Sequence, residues 1–129
     1  MGDRGNVAIV TNPSQPPIVI YSHWGGYELA QDVVRALQKR WRWSDESYLA
    51  RIIFDEVRKD PLTETGIGLD VGYIGDNDTY PIIYIHIPHQ AVKLIPYDTD
   101  LTAEVDMTGS RSFEDLCKDP EVFINDYRS

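Results

Sequence analysis

The apolar residues of this chain change their spacing twice, and those changes limit the folds that it can adopt. Two short β-branched runs come first, NVAIV (6–10) and PIVIY (17–21), and the polar stretch between them predicts a hairpin with a long loop. Residues 28–59 then follow the period of helices, and from residue 66 apolar residues alternate as in strands. Strands, then helices, then more strands predict an α+β fold.

Helical spacing occurs in two consecutive segments. In the first, an apolar residue recurs at every fourth position: Leu29, Val33, Leu37 and Trp41. The second runs from a candidate N-cap at Ser44 or Asp45 to about Lys59, where Asp60-Pro61 ends it. Because the link between the two segments is short, we predict that they form an αα-hairpin.

Three further strands are predicted after the helices, in GIGLDVGY (66–73), YPIIYIHI (80–87) and AVKLIPY (91–97). The middle one is apolar on both faces, so we expect it to be buried in the centre of the sheet. Turn residues separate the three, which predicts an antiparallel meander. The order ββααβββ gives a single α+β domain over residues 1–129, in which an antiparallel sheet of about five strands is covered by the helical hairpin. A capping pattern at Ser112 adds a short C-terminal helical tail.

The composition excludes several classes of protein. The single cysteine, Cys117, rules out an intrachain disulfide and a zinc site built from several cysteines. The sequence contains no apolar run long enough for a membrane helix, and its N-terminal residues lack the pattern of a signal peptide. We therefore expect no membrane association and a cytoplasmic location.

Acidic residues are distributed unevenly along the chain. Residues 1–60 carry equal numbers of acidic and basic side chains, so the net charge of −9 arises in residues 61–129. An acidic surface repels phosphates, which argues against direct binding of nucleic acid. The same surface suits a basic protein partner, or it is simply a solvated face. A basic face on the first predicted helix is a candidate contact for a homo-oligomer: Arg35, Lys39 and Arg42.

The junction between the second predicted strand and the first predicted helix, YSHWGGYELA (21–30), carries the candidate chemistry. Alternate residues of a strand share a face, so Tyr21 and His23 lie together and Ser22 points away. A nucleophile–base pair of Ser22 with His23 is therefore excluded within one strand. Trp24 offers a flat ring on which a base or a sugar can stack.

Two glycines follow this tryptophan, and they allow a tight turn and a close approach of the backbone to another group. We expect free N–H groups at the start of the helix just beyond Gly25 and Gly26, where a phosphate or carboxylate can bind. The alternative, in which the glycines only make the turn while His23 and Trp24 pack on the sheet, stays open.

The two C-terminal histidines favour a structural interpretation. His86 and His89 are three residues apart, a spacing that does not place both on one face of a strand. A metal site would need a third ligand from His23, Asp76 or Asp78, and the sequence does not require that these converge. We therefore expect no metal.

Acidic turns and a glycine-lined strand are the remaining features. The segments GDNDTYP (75–81) and DTDLTAEVDMTG (98–109) match calcium loops poorly, so we interpret them as turns or solvated loops. Gly66, Gly68 and Gly72 share one strand face, against which another group can pack closely. We expect the helical hairpin there, and the floor of a ligand pocket is the alternative.

Three segments together resemble a family of small, uncharacterised phage and bacterial proteins: GDRGNV (2–7), YSHWGGYEL (21–29) and WSDESYLARIIFDE (43–56). The resemblance covers roughly residues 1–60, and the family has no established activity. It implies a counter-defence context, in which such proteins inhibit a host protein or sequester a host nucleotide signal. It also groups Arg4 and Arg51 with the junction.

These observations lead us to expect a non-enzymatic, phage-type binding protein that needs no cofactor. It would hold a small anionic, nucleotide-like ligand at the junction, in the host cytoplasm if a phage encodes it. The expected ligand-binding residues are Arg4, Tyr21, His23, Trp24, Gly25, Gly26 and Arg51.

Two alternatives remain. The first is an acidic inhibitor that docks on a basic host protein through four loop residues: Asp98, Asp100, Glu104 and Asp106. The second is a small hydrolase that uses His23, although the sequence shows no triad order or nucleophile motif.

Overall fold

The computed structural model describes residues 3–59, 64–75, 77 and 79–129. Within these ranges the strands are β1 (Gly5–Val10), β2 (Ile18–Ser22), β3 (Ile67–Val71), β4 (Ile82–His86), β5 (Ala91–Ile95) and β6 (Arg111–Ser112). The helices are α1 (Leu29–Gln38), α2 (Glu46–Val57), α3 (Phe113–Lys118) and α4 (Pro120–Arg128). Short 3-10 turns at Gly26–Glu28 and Glu64–Gly66 lead into α1 and β3.

The six described strands form one mixed sheet in the order β3-β2-β1-β4-β5-β6. The predicted β1–β2 hairpin is confirmed, with Gly5 opposite Ser22 and Ile9 opposite Ile18. The predicted meander is wrong, because β3 pairs with β2 while β4 pairs in parallel with β1. The α+β class is therefore right, but the sheet is not purely antiparallel and has one strand more than predicted.

Burial explains this order. Every residue of β1 and β4 is buried, as the doubly apolar sequence of β4 predicts for a central strand. Strand β3 holds one of the three glycines, Gly68, and a charged residue, and four of its five residues are exposed. A strand with so little apolar surface to bury costs the sheet least stability when it lies at the edge.

All four described helices belong to one face of the sheet, here called the helix face. Its core joins Ile20 and Ile83 of the sheet to Leu37 of α1 and Ile53 of α2. The predicted helical pair is confirmed, and α1 and α2 pack against each other. The C-terminal tail is longer than predicted and belongs to the same core: Phe113, Leu116, Phe123 and Tyr127 are buried there. The predicted cap is confirmed, since Ser112 Oγ accepts a hydrogen bond from the Asp115 N–H at 3.0 Å.

The opposite side, here called the loop face, has a smaller core. Ala8, Val19 and Tyr84 pack there with Leu101, which comes from the loop after β5. This loop covers the central strands on the loop face, on which none of the described helices packs. It also carries the acidic residues that the sequence analysis singled out.

The expectation that helices pack on the glycine face of β3 is wrong. Gly66 lies instead against the Trp24 ring, where a Cβ would come within 2.6 Å of ring carbon Cε3. A Cβ on Gly68 would meet no atom within 4 Å among the described residues. The helix layer also leaves the other side of this edge strand open, since Leu69 is 59% exposed.

Candidate functional site

The pairing of β1 with β2 brings several predicted site residues to one end of the loop face. Tyr21 and His23 share that face as predicted, and the Tyr21 hydroxyl lies 3.0 Å from His23 Nδ1. Gly5 pairs with Ser22, so continuing the register by one residue puts Arg4 beside His23. The His23 N–H donates to the Gly66 carbonyl at 2.8 Å, which ties this end of β2 to the start of β3.

Trp24 extends this group into an aromatic platform, defined here as Tyr21, His23 and Trp24. The His23 and Trp24 rings meet edge to face, with centroids 5.4 Å apart and an interplanar angle of 79°. Gly66 supports the tryptophan because any side chain there would collide with the indole. Trp24 is nevertheless 48% exposed, so its ring is both positioned and accessible.

A buried asparagine holds the base of the platform. Asn6 Oδ1 accepts from the Gly75 N–H at 2.9 Å, and Asn6 Nδ2 donates to the Gly75 carbonyl at 3.2 Å. Gly75 in turn packs against the Tyr21 ring, where a Cβ would lie only 2.2 Å from ring carbon Cδ1. The segment after β3 is thereby fixed beneath Tyr21.

The prediction of free N–H groups at the start of the helix is wrong. The Gly25 N–H donates to Ser22 Oγ at 2.9 Å, and the Gly26 N–H donates to the Asp3 carbonyl at 2.7 Å. The Tyr27 N–H donates to the Asp3 carboxylate at 2.9 Å. Asp3 therefore stands where an anionic ligand was expected, as a carboxylate at a helix N-terminus.

Gly26 does provide the predicted close approach, but to the chain itself. A Cβ at this position would lie 2.7 Å from the carbonyl carbon and oxygen of Arg4. The glycine thus lets the N-terminal segment lie directly on the turn before α1. The same glycine would serve a bound ligand only if that segment moved away.

The C-terminal helix closes the junction from the other side. Tyr127 Oη donates to the Gly26 carbonyl at 2.7 Å, and its ring stacks on Tyr80 with centroids 4.9 Å apart. Burial, and then a hydrogen bond with Asp3, raise the pKa of Tyr80 to about 12. The Arg128 guanidinium lies 3.7 Å from the centre of the Tyr27 ring.

These partners were not predictable from the sequence, because they are far away in the chain. Tyr127 and Gly26 are 101 residues apart. A tyrosine in a C-terminal helix gives no sequence signal for such a contact, since its apolar spacing explains it equally well. The contact depends on the α4 helix folding back across the start of α1.

Arg51 does not join the platform. It lies on the exposed face of α2, and its guanidinium pairs with Asp55 at 2.5 Å, as its spacing in the helix predicts. The structure therefore brings together Arg4, Tyr21, His23, Trp24, Gly25 and Gly26, and leaves out Arg51.

A cleft of about 430 Å³ opens beside the junction, between α1 and the end of α2. Ser22 and Gly25 line one side of it, and its charged residues are Glu28, Asp32, Arg35, Glu56 and Lys59. Glu56 is buried and pairs with Lys39 Nζ at 3.7 Å and with Lys59 Nζ at 3.3 Å. Three carboxylates against two bases in the lining do not favour an anion here.

A second cleft, of about 710 Å³, lies on the loop face. Residues 13–17 and residues 101–107 form its walls, and Tyr84, His86 and His89 belong to its lining. The two histidine rings stack with centroids 4.1 Å apart, although their spacing did not predict a shared face. The turn after β4 returns His89 to His86, with Gln90 at a φ of +49°.

Among the described residues, the histidine pair has no third metal-ligating side chain grouped with it. The His89 N–H donates to His86 Nδ1 at 3.3 Å, and burial, with a smaller effect of His89, lowers the pKa of His86. The described ranges contain no group of three or more His, Cys, Asp or Glu side chains arranged to hold a metal ion. Asp76 and Asp78, the suggested further ligands, lie outside the described residues.

The four acidic loop residues have different surroundings. Asp100 Oδ1 accepts from the Thr102 N–H and hydroxyl, at 2.9 Å and 2.6 Å. Asp106 makes the same pair of bonds with Thr108, and in both cases these bonds lower the pKa of the aspartate. Glu104 and Asp106 line the second cleft, whereas Asp98 is exposed outside it.

Comparison with protein-family models, with curated proteins and with solved structures finds no match to this chain. In the part of the chain that the structure describes, no helix has the length and apolar composition needed to cross a membrane. A functional hypothesis therefore depends on the geometry of the platform and of the two clefts.

Proposed function

We propose that this chain is a non-enzymatic binding protein that holds a small, planar, anionic ligand on the aromatic platform. The observation that carries the proposal is the placement of the Trp24 ring, which packs against Gly66 and His23 and is still half exposed. An indole held in this way offers a stacking surface that needs little ordering when a ring binds. A nucleotide-like ligand has such a ring next to its charge.

Arg4 supplies the positive charge in this proposal. Arg4 precedes Gly5, the partner of Ser22, and His23 follows Ser22, so in this proposal an anionic group of a ligand stacked on Trp24 would meet the arginine at the edge of the platform. The helix N-terminus takes no part, because Asp3 occupies it. This differs from the sequence expectation in where the anion lies.

The hydrolase alternative has less support. The Ser22 hydroxyl lies on the face opposite to His23 and accepts a hydrogen bond from the Gly25 N–H. His23 Nδ1 lies 3.0 Å from the Tyr21 hydroxyl, and among the described residues it is not hydrogen-bonded to a serine, threonine or cysteine. Turnover that depends on His23 would be needed to revive this alternative.

The biological context of the proposal comes from the resemblance of residues 1–60 to small phage proteins. In that context the ligand would be a host nucleotide signal, and binding would remove it from the host cytoplasm as a counter-defence measure. A homo-oligomer is compatible with this role and is not required by it.

The test compares two tryptophans that are both about half exposed. Nucleotides, cyclic nucleotides and nucleotide sugars are screened by thermal shift, where a ligand at about a hundred times its Kd stabilises by roughly 2.7 kcal/mol. We expect Trp24→Ala to abolish the shift, Trp24→Phe to retain part of it, and Trp41→Ala, which removes an indole 59% exposed elsewhere, to leave it unchanged. Full binding by a folded Trp24→Ala variant would contradict the proposal.

A second candidate is the acidic inhibitor of a basic host protein. The observation that favours it is the acidic loop after β5, where Glu104 lines a cleft and Asp98 is exposed beside it. Charge reversal at these two positions should weaken such a complex, and added salt should weaken it further. Asp100 and Asp106 are poor positions for the test, since both hold turns. Salt-insensitive partner binding would count against this candidate.

A further inference from the structure

Two buried polar side chains face the second cleft with unused hydrogen-bonding groups. Tyr84 and His86 are alternate residues of β4, so they stand side by side on the loop face, 6% and 8% exposed. Both line the cleft. Among the described residues, the Tyr84 hydroxyl has no hydrogen-bond partner, and His86 uses only Nδ1. The unpaired atoms of both side chains are accessible from the cleft and are not sealed inside the protein, so they are available to a ligand there.

The hydrogen bond from His89 determines what His86 can offer. Since Nδ1 accepts the His89 N–H, the neutral ring carries its proton on Nε2 and donates from there. Burial favours this neutral form by lowering the pKa of His86. The Tyr84 hydroxyl is a second donor at the same wall. Together the two groups suit a hydrogen-bond acceptor.

The charged side chains that line the cleft are acidic, and one lysine lies next to them: Lys93 is opposite Tyr84 in the β4–β5 register and donates from Nζ to the Asp106 carbonyl. The lining itself contains Glu104 and Asp106 and no lysine or arginine among the described residues. Asp106 is committed to Thr108, whereas Glu104 has no ion pair within the described ranges. Glu104 also lies close enough to Tyr84 to contribute, after burial, to raising the pKa of its hydroxyl. A carboxylate thus lines the same cleft as the two donors.

The remaining walls are apolar, and the size suits a small molecule. Val10, Leu101, Val105 and Met107 contribute aliphatic surface. The volume of about 710 Å³ falls in the range of ligand pockets. Both parallel strands, β1 and β4, end at this cleft, and the carboxyl ends of parallel strands are common positions for ligands.

We propose that the second cleft binds an organic cation that carries a hydrogen-bond acceptor a few atoms from its charge. Glu104 meets the cation, while His86 Nε2–H and the Tyr84 hydroxyl donate to the acceptor. The chemistry is that of a basic amino-acid amide, either free or as part of a peptide. This site is independent of the aromatic platform and of the anionic ligand proposed there.

Argininamide is the probe, because it combines a guanidinium group with an amide carbonyl. Its binding to the full chain is followed through the ring C–H signals of His86 and His89 by NMR, assigned with single histidine variants. We expect saturable shifts of both rings. Methylguanidinium, which lacks the acceptor, and N-acetylglycinamide, which lacks the charge, should each bind roughly tenfold more weakly or worse.

Near-isosteric variants test the individual groups without emptying the core. Glu104→Gln and Tyr84→Phe should each weaken argininamide by roughly tenfold, since each removes a charged or buried partner. Asp98→Asn removes the same charge from the same loop outside the cleft and should change nothing. An acetylated arginine tripeptide amide separates the two sources: comparable affinity supports a peptide-borne ligand, and much weaker affinity supports a free one.

Two results would overturn the proposal. One is the absence of saturable histidine shifts with millimolar argininamide in the folded wild-type chain. The other is binding that Asp98→Asn weakens as much as Glu104→Gln does, because the cation would then be attracted by the loop charge in general. Neither result would affect the Trp24 comparison, so the two proposals fail separately.

Discussion

Asp3 takes the place of a bound anion at the start of α1. Its carbonyl and its carboxylate accept the N–H groups of Gly26 and Tyr27. A negative group is favoured at that position because the helix dipole and the exposed N–H groups both attract it. The N–H groups that were expected to bind an anionic ligand are therefore occupied by a residue of the protein itself.

Replacing this residue should lower stability. Asp3→Ala removes the carboxylate that accepts the Tyr27 N–H at the start of the helix, so we expect the free energy of unfolding to fall by about 0.5–2 kcal/mol. Urea unfolding monitored by circular dichroism measures the change, with Asp98→Ala, an exposed aspartate, as the control. A loss of no more than the control shows would mean that water replaces the carboxylate at no cost.

In strand β3 the apolar residues alternate as in a half-buried strand, but its position at the edge of the sheet leaves them exposed. Leu69 and Val71 lie on the helix face but beyond the helices, and they are 59% and 56% exposed. Asp70 reduces the number of unpaired backbone groups on this edge strand, because its Oδ1 accepts the Val71 N–H at 2.7 Å. Such a bond occupies a donor that would otherwise be open to a strand of another chain.

The cost of removing apolar surface should differ sharply between β3 and its neighbour β2. Leu69 and Ile20 stand directly opposite each other in the register, but Ile20 is fully buried. We expect Ile20→Ala to cost about 2–5 kcal/mol, as in other cores, and Leu69→Ala to cost less than about 1 kcal/mol. Equal costs in chemical denaturation would show that the edge strand is covered in solution.

The two ends of the described chain meet at the junction and tie the molecule together. Asp3 comes from the N-terminal segment, Tyr80 from the connection to β4, and Tyr127 from α4. This arrangement joins the helix layer to the end of the sheet through the buried Tyr127 and the partly buried Tyr80. Burial raises the pKa of both Tyr80 and Tyr127.

Stability should consequently fall in alkali. The pKa of Tyr80 rises from 10.0 to about 12, so the unfolded chain releases its proton first and gains stability as the pH rises through that interval. The contribution of this group is complete below pH 10 and is lost towards pH 12. Urea titrations across this range should show a shallower fall for Tyr80→Phe than for wild type. Tyr73→Phe, at an exposed tyrosine, is the control, and an unchanged slope for Tyr80→Phe would contradict this account.

Local features of the fold were predictable, and the long-range pairing was not. Periodicity located α1 and α2, the β1–β2 hairpin and the buried nature of β4, because each depends on residues close in sequence. It could not pair β1 with β4, whose contacting residues Val7 and Ile83 are far apart along the chain. A parallel pair has no turn signature, and a meander is the simpler assumption when strands follow one another.

The candidate sites divide in the same way. Tyr21, His23, Trp24 and the two glycines form a local motif, so the sequence placed them correctly beside one another. Their surroundings came from elsewhere: Asp3 at the helix start, Gly66 under the tryptophan, and Asn6 bonded to Gly75. The second cleft was not predicted, because its lining residues, such as His86 and Glu104, come together only where two loops cross the sheet.

The sequence by itself determined the class of the fold, the positions of its main helices and strands, and the alternation that puts Tyr21 and His23 on one face. These follow from the short-range geometry of the backbone, in which the period of apolar residues decides the element. The tertiary structure alone decided that the helix start is occupied, that β3 lies at an edge and that the acidic loop encloses a cleft. Those outcomes depend on contacts between distant segments, and the energy of such a contact cannot be deduced from the sequence of either segment alone.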